Sequence, residues 1–266
     1  MKLRGKRILV TGSTGGIGTL VCQLLAEQGV ELVLTCFNAE ALASLQSALP
    51  GQHRFVVADI SKSTDRQALV SKCTDLGGID GLINIAGILD FALFEDQDES
   101  TITRIMTVNL TSVMLLCHDL IPQLKARDES IIVNVGSIFG SIGHPGFVAY
   151  CASKAGIKSF SEALSRELAD TAVRVSYIAP RATRTALNND RVNQLNTELG
   201  NKSDPPLLVA RAIVQQAESG KAVSFLGWPE KLFVRINALF PALVHKSLVN
   251  QLGVIKKYAK AEEVKV

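Results

Sequence analysis

The sequence contains few cysteines, and none of them is spaced for a metal site. The five cysteines are Cys22, Cys36, Cys73, Cys117 and Cys151, and no two of them form a CxxC pair. An odd number without paired spacing argues against a zinc site and against the disulfide framework of a small secreted domain. We therefore predict no metal, and we expect a reducing compartment and a cytoplasmic location.

Charge of one sign and long apolar runs are also scarce. The formal net charge is +3, from 28 basic and 25 acidic residues, and the basic residues cluster only near the C-terminus. This balance gives no reason to expect a nucleic-acid partner. No apolar run is long enough to predict a membrane-spanning helix. The 266 residues, of which 47% are hydrophobic, suit one large α/β domain better than two small domains.

Short β-branched runs alternate with longer segments of helical periodicity. Strands that are apolar on both faces and alternate with helices predict an α/β fold. The expected architecture is a Rossmann-type, doubly wound parallel sheet of seven strands with helices on both faces. The strands are predicted at residues 7–10, 31–35, 54–58, 81–85, 130–135, 173–178 and 222–226. The helices are predicted at residues 17–28, 40–49, 64–75, 101–125, 150–170 and 206–219.

A glycine-rich loop, residues 11–18, lies between the first predicted strand and the first predicted helix. Glycines at such a turn let the backbone approach a pyrophosphate, and the helix N-terminus presents free N–H groups to that anion. No Gly-Lys-Ser/Thr follows, which excludes a Walker-type phosphate loop. The spacing fits both TGxxxGxG and GxxGxxG, because Gly15 and Gly16 are adjacent. The loop residues predicted to bind a dinucleotide are Gly12, Ser13, Thr14, Gly16, Ile17 and Gly18.

A tyrosine and a lysine stand four residues apart at the start of a predicted helix. This spacing places Tyr150 and Lys154 on one helical face. A nearby ammonium lowers the pKa of a tyrosine and brings it closer to the range of efficient general acid–base catalysis. Ser137 ends the fifth predicted strand, where its hydroxyl could bind a substrate carbonyl. Asn109, inside a long helix, could hold a water in line with Lys154.

Together these motifs resemble the classical short-chain dehydrogenase/reductase family over roughly residues 6–185. TGSTGGIG resembles the family's cofactor loop, and Asn84-Ile85-Ala86-Gly87 resembles its NNAG, with Ile85 in place of the second Asn. The segment 180–185 resembles the family's PGxxxT turn, with Arg181 in place of the glycine. That substitution leaves the contacts of Arg181 open. The resemblance implies a homodimer or homotetramer.

The resemblance also implies the roles of individual residues. Ser137 would orient the carbonyl, Tyr150 would transfer the proton, Lys154 would lower the tyrosine pKa and bind the nicotinamide ribose, and Asn109 would anchor a relay water. The cofactor contacts implied outside the glycine loop are Asp59, Ile60, Asn84, Ala86, Gly87, Tyr150, Lys154, Pro180, Thr183 and Thr185. His144 is expected on a flexible loop rim, and Cys151 is expected to serve packing.

The end of the second strand bears on the choice between NAD and NADP. An acid there binds the ribose 2′-hydroxyl, and an arginine accepts a 2′-phosphate. The segment 34–38 has neither, although Thr35 and Asn38 could hydrogen-bond either form. The missing acid removes a repulsion against the phosphate, so NADP is slightly favoured over NAD.

The chain divides into a catalytic domain and an unusual C-terminus. Residues 1–227 are expected to form a single dinucleotide-binding catalytic domain, with a substrate loop at about 181–205. Residues 228–255 are predicted to be an apolar helical extension, and 256–266 a disordered tail. Basic residues flank the apolar stripe of 228–252, so the extension could pack on the core, cover the cleft, join subunits or lie on a membrane surface.

Three functions follow from these features. The first is an NAD(P)-dependent oxidoreductase that moves a hydride between nicotinamide and a small-molecule ketone or secondary alcohol. An apolar tail of this kind resembles family members that handle lipid or acyl-chain keto substrates. The second is a non-catalytic, dinucleotide-binding regulator or scaffold. The third is a membrane-associated, peripheral reductase of lipid metabolism.

Overall fold

The computed structural model describes residues 1–260, which fold around a seven-stranded, wholly parallel sheet. The strand order is β3-β2-β1-β4-β5-β6-β7, with parallel pairing throughout. The predicted fold class is confirmed. The strands are β1 Arg7–Thr11, β2 Glu31–Cys36, β3 Arg54–Val57, β4 Gly81–Asn84, β5 Ser130–Val135, β6 Val173–Ala179 and β7 Val223–Phe225.

Helices cover both faces of the sheet, because the central strands are apolar on both sides. One buried cluster joins the sheet to α1, α2 and α8, and another joins the opposite face to α3, α5 and α6. The helices are α1 Gly18–Glu27, α2 Ala39–Ala48, α3 Ser63–Asp75, α4 Glu99–Met106, α5 Ser112–Lys125, α6 Val148–Glu167, α7 Asp190–Glu198, α8 Pro206–Ser219, α9 Glu230–Leu239, α10 Pro241–Asn250 and α11 Leu252–Ala259. The strand order reverses between β1 and β4, and this switch point is where ligands bind in such sheets.

The long helix after β4 differs from the prediction in two ways. It is interrupted by a π-helical turn, Thr107–Thr111, between α4 and α5. As a whole, Glu99–Lys125 is long and apolar enough to cross a membrane by length and composition, contrary to the sequence-based expectation. In this fold its buried residues, among them Leu116 and Leu120, pack against the sheet. It is a core helix of the domain.

A short helix, α7, lies within the expected substrate loop and was not predicted. The Asn189 side chain accepts a hydrogen bond from the Val192 N–H and so caps the helix. Val192 and Leu195 are its only buried residues. The local sequence is otherwise polar, and two apolar residues are too few to reveal a helical period.

The C-terminal extension consists of three helices rather than one kinked helix followed by a loose tail. The last of them, α11, continues to Ala259, so the prediction of disorder is wrong for residues 256–259. Ile255 and Ala259 are buried in a third cluster with α7, and this contact explains the order. Residues 261–266 of the predicted tail lie outside the described residues.

Candidate active site

A cavity of about 470 Å³ opens at the carboxyl ends of the central strands. Its lining includes Ser137, Tyr150 and Lys154, so the structure brings three of the four predicted catalytic residues to one space. Most of the remaining wall is apolar. The glycine loop reaches the same cavity through Ile17, and the turn after β6 reaches it through Thr185.

Tyr150 lies in the first turn of α6, and its ring is buried against aromatic neighbours. Burial raises the pKa of Tyr150 to about 12, although a hydrogen bond between its side chain and that of Ser137 acts in the opposite direction. The sequence had suggested that Lys154 lowers this pKa. The structure contradicts that effect, because desolvation outweighs every other influence and the ammonium lies 5.7 Å from the ring centroid. At neutral pH the phenol therefore keeps its proton.

Lys154 is fully enclosed one helical turn beyond the tyrosine. Its Nζ donates a hydrogen bond to the Val135 carbonyl oxygen at 3.2 Å. Burial lowers the pKa of Lys154 to about 8, because the charged form loses its hydration. The ammonium is thus held at the cavity wall, where Gly87 leaves room beside it.

Ser137 is oriented by two contacts that fix the loop after β5. The Phe139 N–H donates to Ser137 Oγ at 3.1 Å, so the serine caps a short 3-10 turn, Ile138–Gly140. The buried Tyr177 hydroxyl donates to the Ser137 carbonyl oxygen at 3.1 Å. Both contacts hold the serine hydroxyl at the cavity.

Asn109 lies in the π-helical turn, but its side chain is fully engaged. Its Oδ1 accepts from the Ile88 N–H at 2.8 Å, and its Nδ2 donates to the Ile88 carbonyl oxygen at 2.9 Å and to Ser153 Oγ at 3.1 Å. The expectation that this amide holds a water in line with Lys154 is therefore wrong for the side chain. Asn109 instead fixes the segment after β4 against α6.

The geometry of the glycine loop decides between the two possible spacings. Gly12 has φ +65°, and a Cβ there would lie 2.7 Å from the Ala86 nitrogen. A Cβ at Gly18 would lie 2.1 Å from the Gly12 oxygen, and one at Gly16 would lie 3.0 Å from Thr185 Cγ2. Gly15 has no positive φ and only an ordinary contact at 3.4 Å. The structure therefore requires glycine in the TGxxxGxG pattern.

This loop fits the pyrophosphate of a dinucleotide. The N-terminus of α1 has no side-chain cap, so its backbone N–H groups remain available to an anion. Glycines at 12 and 18 let the backbone fold closely onto itself and onto the segment after β4. Ile17, Gly87, Pro180 and Thr185 line the cavity beside this loop and could contact the nicotinamide half.

Several residues predicted to contact the cofactor point elsewhere. Ser13 is fully buried and its hydroxyl donates to the Thr35 carbonyl oxygen at 3.1 Å. Asn84 Nδ2 donates to Asn134 Oδ1 at 2.8 Å, inside the sheet. The Ile60 side chain is buried in the core. The predicted side-chain contacts of these three residues are wrong, because each side chain stabilises the sheet or its connections instead.

Other predicted positions take part in local contacts near the expected adenine and nicotinamide regions. Thr14 Oγ1 lies 2.9 Å from Cys36 Sγ, and the Ala86 N–H donates to Thr11 Oγ1 at 3.3 Å. Asp59 Oδ1 accepts hydrogen bonds from the Ser61 N–H and hydroxyl. Thr183 Oγ1 donates to the Arg181 carbonyl oxygen at 3.0 Å, which rigidifies the turn after β6.

The end of β2 offers a bound ribose fewer groups than the sequence suggested. Thr35 is buried and its hydroxyl donates to the Val56 carbonyl oxygen at 2.8 Å. Asn38 Oδ1 accepts from the Ala41 N–H at 2.9 Å and caps α2. Neither of these side chains is therefore free for the ribose.

An aromatic wall beside Tyr150 escaped the sequence analysis. Phe139 stacks on His144 with ring centroids 4.9 Å apart, and Phe147 packs against both rings. His144 is not on a flexible rim, because it is enclosed and its Nδ1 lies 2.8 Å from the Pro145 carbonyl oxygen. Burial lowers the pKa of His144 below its ordinary value, so the ring is neutral at physiological pH.

The C-terminal extension forms another wall that the sequence left open. Residues of α9 and α10 line the cavity opposite the catalytic side chains. Because those helices lie about a hundred residues after Ser137, no local pattern could show the contact. The lining residues of the extension are Glu230, Phe233, Ile236, Leu243, Val244, Ser247, Leu248 and Gln251.

Arg181, which replaces the glycine of the family turn, ties this extension to the substrate loop. Its guanidinium pairs with Asp204 at 2.6 Å and with Glu230 at 3.0 Å. It also donates to the Trp228 carbonyl oxygen at 3.1 Å. The positive φ of Gly227 lets the chain pass the arginine side chain. The substitution thus has a structural counterpart in the extension.

Comparison with known proteins assigns this arrangement to a family. The family model described as short chain dehydrogenase matches residues 6–196. The chain belongs to this family. It is therefore an oxidoreductase that acts on CH–OH or C=O groups with NAD or NADP.

Relatives in the short-chain dehydrogenase family cover most of the chain. Nodulation protein G of Rhizobium sp. (strain N33) is 32% identical over 88% of this chain and 94% of its own. The 3-oxoacyl-(acyl-carrier-protein) reductase FabG of Vibrio cholerae is 31% identical over the same shares. The crystal structure of 3-ketoacyl-(acyl-carrier-protein) reductase from Brucella melitensis complexed with NADH aligns with a TM-score of 0.76 and 26% identity, over 84% of this chain and 96% of that one.

Proposed function

We propose that the protein reduces the ketone of 3-oxoacyl substrates, with Tyr150 as proton donor. The observation that carries this proposal is the protonated phenol of Tyr150, bonded to Ser137 in a largely apolar cavity. A buried phenol with a pKa of about 12 is a poor base and holds a proton that a developing alkoxide can take. The reducing direction is therefore favoured.

Each residue of the site has a distinct task in this reaction. Ser137 donates a hydrogen bond to the substrate carbonyl, and Tyr150 donates its proton to the same oxygen as negative charge develops there. Lys154 stabilises the tyrosinate that remains, and it binds the nicotinamide ribose. Asn109 keeps the segment after β4 in place through Ile88. When bound, the nicotinamide dinucleotide supplies the hydride.

The substrate class is inferred from the cavity and from the relatives. Phe139, Ile142 and Phe147 line one side, and the apolar residues of α9 and α10 line the other. Such a lining favours a carbonyl attached to a hydrocarbon chain. Relatives named 3-oxoacyl-(acyl-carrier-protein) reductase, including one from Bos taurus that is 34% identical, support an acyl thioester as the substrate class.

NADP is proposed as the preferred cofactor. The end of β2 presents Cys36, Phe37 and Asn38 and no carboxylate that would repel a 2′-phosphate. KM values for NADPH and NADH with one substrate test the preference. A lower KM for NADH would refute it without affecting the proposed chemistry.

The chain is also proposed to form a homodimer or homotetramer. Met114 and Leu115 of α5 and Val148 of α6 are exposed apolar residues on the two helices that follow the sheet core. Such residues suit a subunit contact. Sedimentation velocity tests this assignment, and a monomer at micromolar concentration would contradict it.

The decisive experiment follows NADPH oxidation by absorbance with a 3-oxoacyl thioester. Wild-type protein is expected to turn over, and Tyr150→Phe is expected to lose at least about a hundredfold in kcat, because the acid contributes roughly that much. Both proteins should bind NADPH alike by fluorescence. Binding without turnover by the wild type over short and long acyl chains would favour a regulator or scaffold instead.

A further inference from the structure

The outer surface of α9 and α10 is the most apolar exposed region of the described chain. Seven large hydrophobic side chains between residues 228 and 249 are exposed, and Leu239, Trp228 and Phe240 are at least 60% accessible. The inner surface of the same helices is also apolar, because Val234, Ile236 and Val244 pack on the core. The exposed set is Trp228, Leu232, Phe233, Leu239, Phe240, Leu243 and Val249.

Helices that are apolar on both faces need a second apolar environment besides the protein core. Together α9 and α10 are apolar enough for a membrane span, but they bend by 120° at their junction. Their inner contacts hold them to the enzyme surface, so they cannot cross a bilayer as one rod. This geometry suits helices that lie in the plane of a membrane surface.

Positive charge surrounds this apolar surface. Lys231, Arg235 and Lys246 are exposed, and within residues 1–260 none of them forms an ion pair. The one acid of the segment, Glu230, is neutralised by Arg181. Unpaired cations beside apolar side chains complement anionic lipid headgroups. A contact between two copies of this surface would instead oppose like charges.

We propose that α9 and α10 dock the enzyme on an anionic lipid surface. Leu239 and Phe240 enter the interface, Trp228 lies at headgroup depth, and the three cations contact lipid phosphates. Phe233 and Leu243 both line the active-site cavity and reach the exposed surface. The cavity rim therefore faces the docked membrane. This docking does not depend on the proposed 3-oxoacyl substrate.

Co-sedimentation with vesicles tests the proposal on the full-length enzyme. Wild type is expected to pellet with vesicles of phosphatidylglycerol and phosphatidylcholine, and less with phosphatidylcholine alone. Leu239→Ser combined with Phe240→Ser should lower the partition coefficient at least about tenfold, because two large side chains no longer leave water. Lys231→Glu combined with Lys246→Glu should weaken binding only to the anionic vesicles.

A matched control places the same change on another exposed apolar pair. Leu207 and Leu208 of α8 are also exposed, and their replacement by serine should leave vesicle binding unchanged. Activity on a soluble substrate should persist in the Leu239/Phe240 variant, which separates docking from catalysis. Failure of the wild type to pellet, or equal pelleting of that variant, overturns the proposal. A changed sedimentation coefficient without vesicle binding assigns the surface to a subunit contact and overturns it too.

Discussion

Arg181 and Glu230 join the substrate loop to the C-terminal extension, with Nη1 of the arginine 3.1 and 3.0 Å from the two carboxylate oxygens. The same guanidinium binds Asp204 through Nη2. Two carboxylates thus depend on one partly buried cation. The pairing explains why an arginine occupies a position where related sequences have glycine.

Replacing Arg181 by Gln should destabilise the fold and loosen the extension. Removing the cation leaves two carboxylates with little solvent, and such a loss costs about 3 kcal/mol. The free energy of unfolding from urea titration measures the effect. Arg184→Gln is the control, because Arg184 makes one long contact with the Ser203 carbonyl oxygen at 3.5 Å. Equal stabilities of the two variants would show that the Arg181 network has no energetic weight.

The glycine loop allows a prediction within five residues of sequence. Gly12→Ala should abolish measurable NADPH binding and lower stability, because its Cβ would collide with the Ala86 backbone at a positive φ. Gly15→Ala should bind NADPH nearly as wild type does, since its Cβ meets only one atom at ordinary distance. Nicotinamide fluorescence titration compares the two. Loss of binding in Gly15→Ala would mean that the other glycine spacing is the functional one.

The pKa of Lys154 predicts a pH dependence of reduction. Because burial lowers this pKa to about 8, the ammonium is present below that pH and is lost as the pH rises through it. Tyr150, with a pKa of about 12, keeps its proton over the same range. We therefore expect kcat/KM for ketone reduction to fall as the pH rises through about 8.

Lys154→Arg separates this explanation from other titrations. A guanidinium stays charged throughout the range, so the fall near the lysine pKa should disappear even if the variant is slower. A wild-type profile of kcat/KM that is flat from neutral to alkaline pH would contradict the assignment. The same fall in the arginine variant would assign it to another group.

The predictable part of the fold is the part encoded by local pattern. The strands follow from apolar β-branched runs, and the glycine loop follows from its position between a strand and a helix. The π turn around Asn109 could not be predicted, because it depends on the pairing of that side chain with Ile88 and Ser153. Helix α7 was missed because polar residues dominate it.

The site shows the same division between local and long-range information. Ser137, Tyr150 and Lys154 were predicted and share the cavity, because their spacing follows from a strand end and a helix turn. The effect of burial on the Tyr150 pKa was missed, since it arises from packing that only the fold creates. The cavity wall contributed by α9 and α10 was also missed, because sequence periodicity shows that a helix has an apolar face but not what that face covers.

The wall formed by α10 predicts control over acyl-chain length. Ser247 lines the cavity from the extension, and its side chain is small. In Ser247→Phe the added ring should occupy part of the 470 Å³ cavity and exclude the distal end of a long chain. We expect kcat/KM to fall roughly tenfold for a long-chain 3-oxoacyl thioester, because several buried methylenes would lose their contacts. A short-chain thioester should be reduced at the wild-type rate.

Asn250→Phe is the matched control for this change. Asn250 is exposed at the end of α10 and does not line the cavity, so the same ring added there should alter neither substrate. Assays below the critical micelle concentration and without vesicles keep membrane docking out of the comparison. Equal losses for short and long chains in Ser247→Phe would show that the wall is merely distorted. A loss confined to the long chain would place the acyl tail along α10 and would make the extension the determinant of chain length.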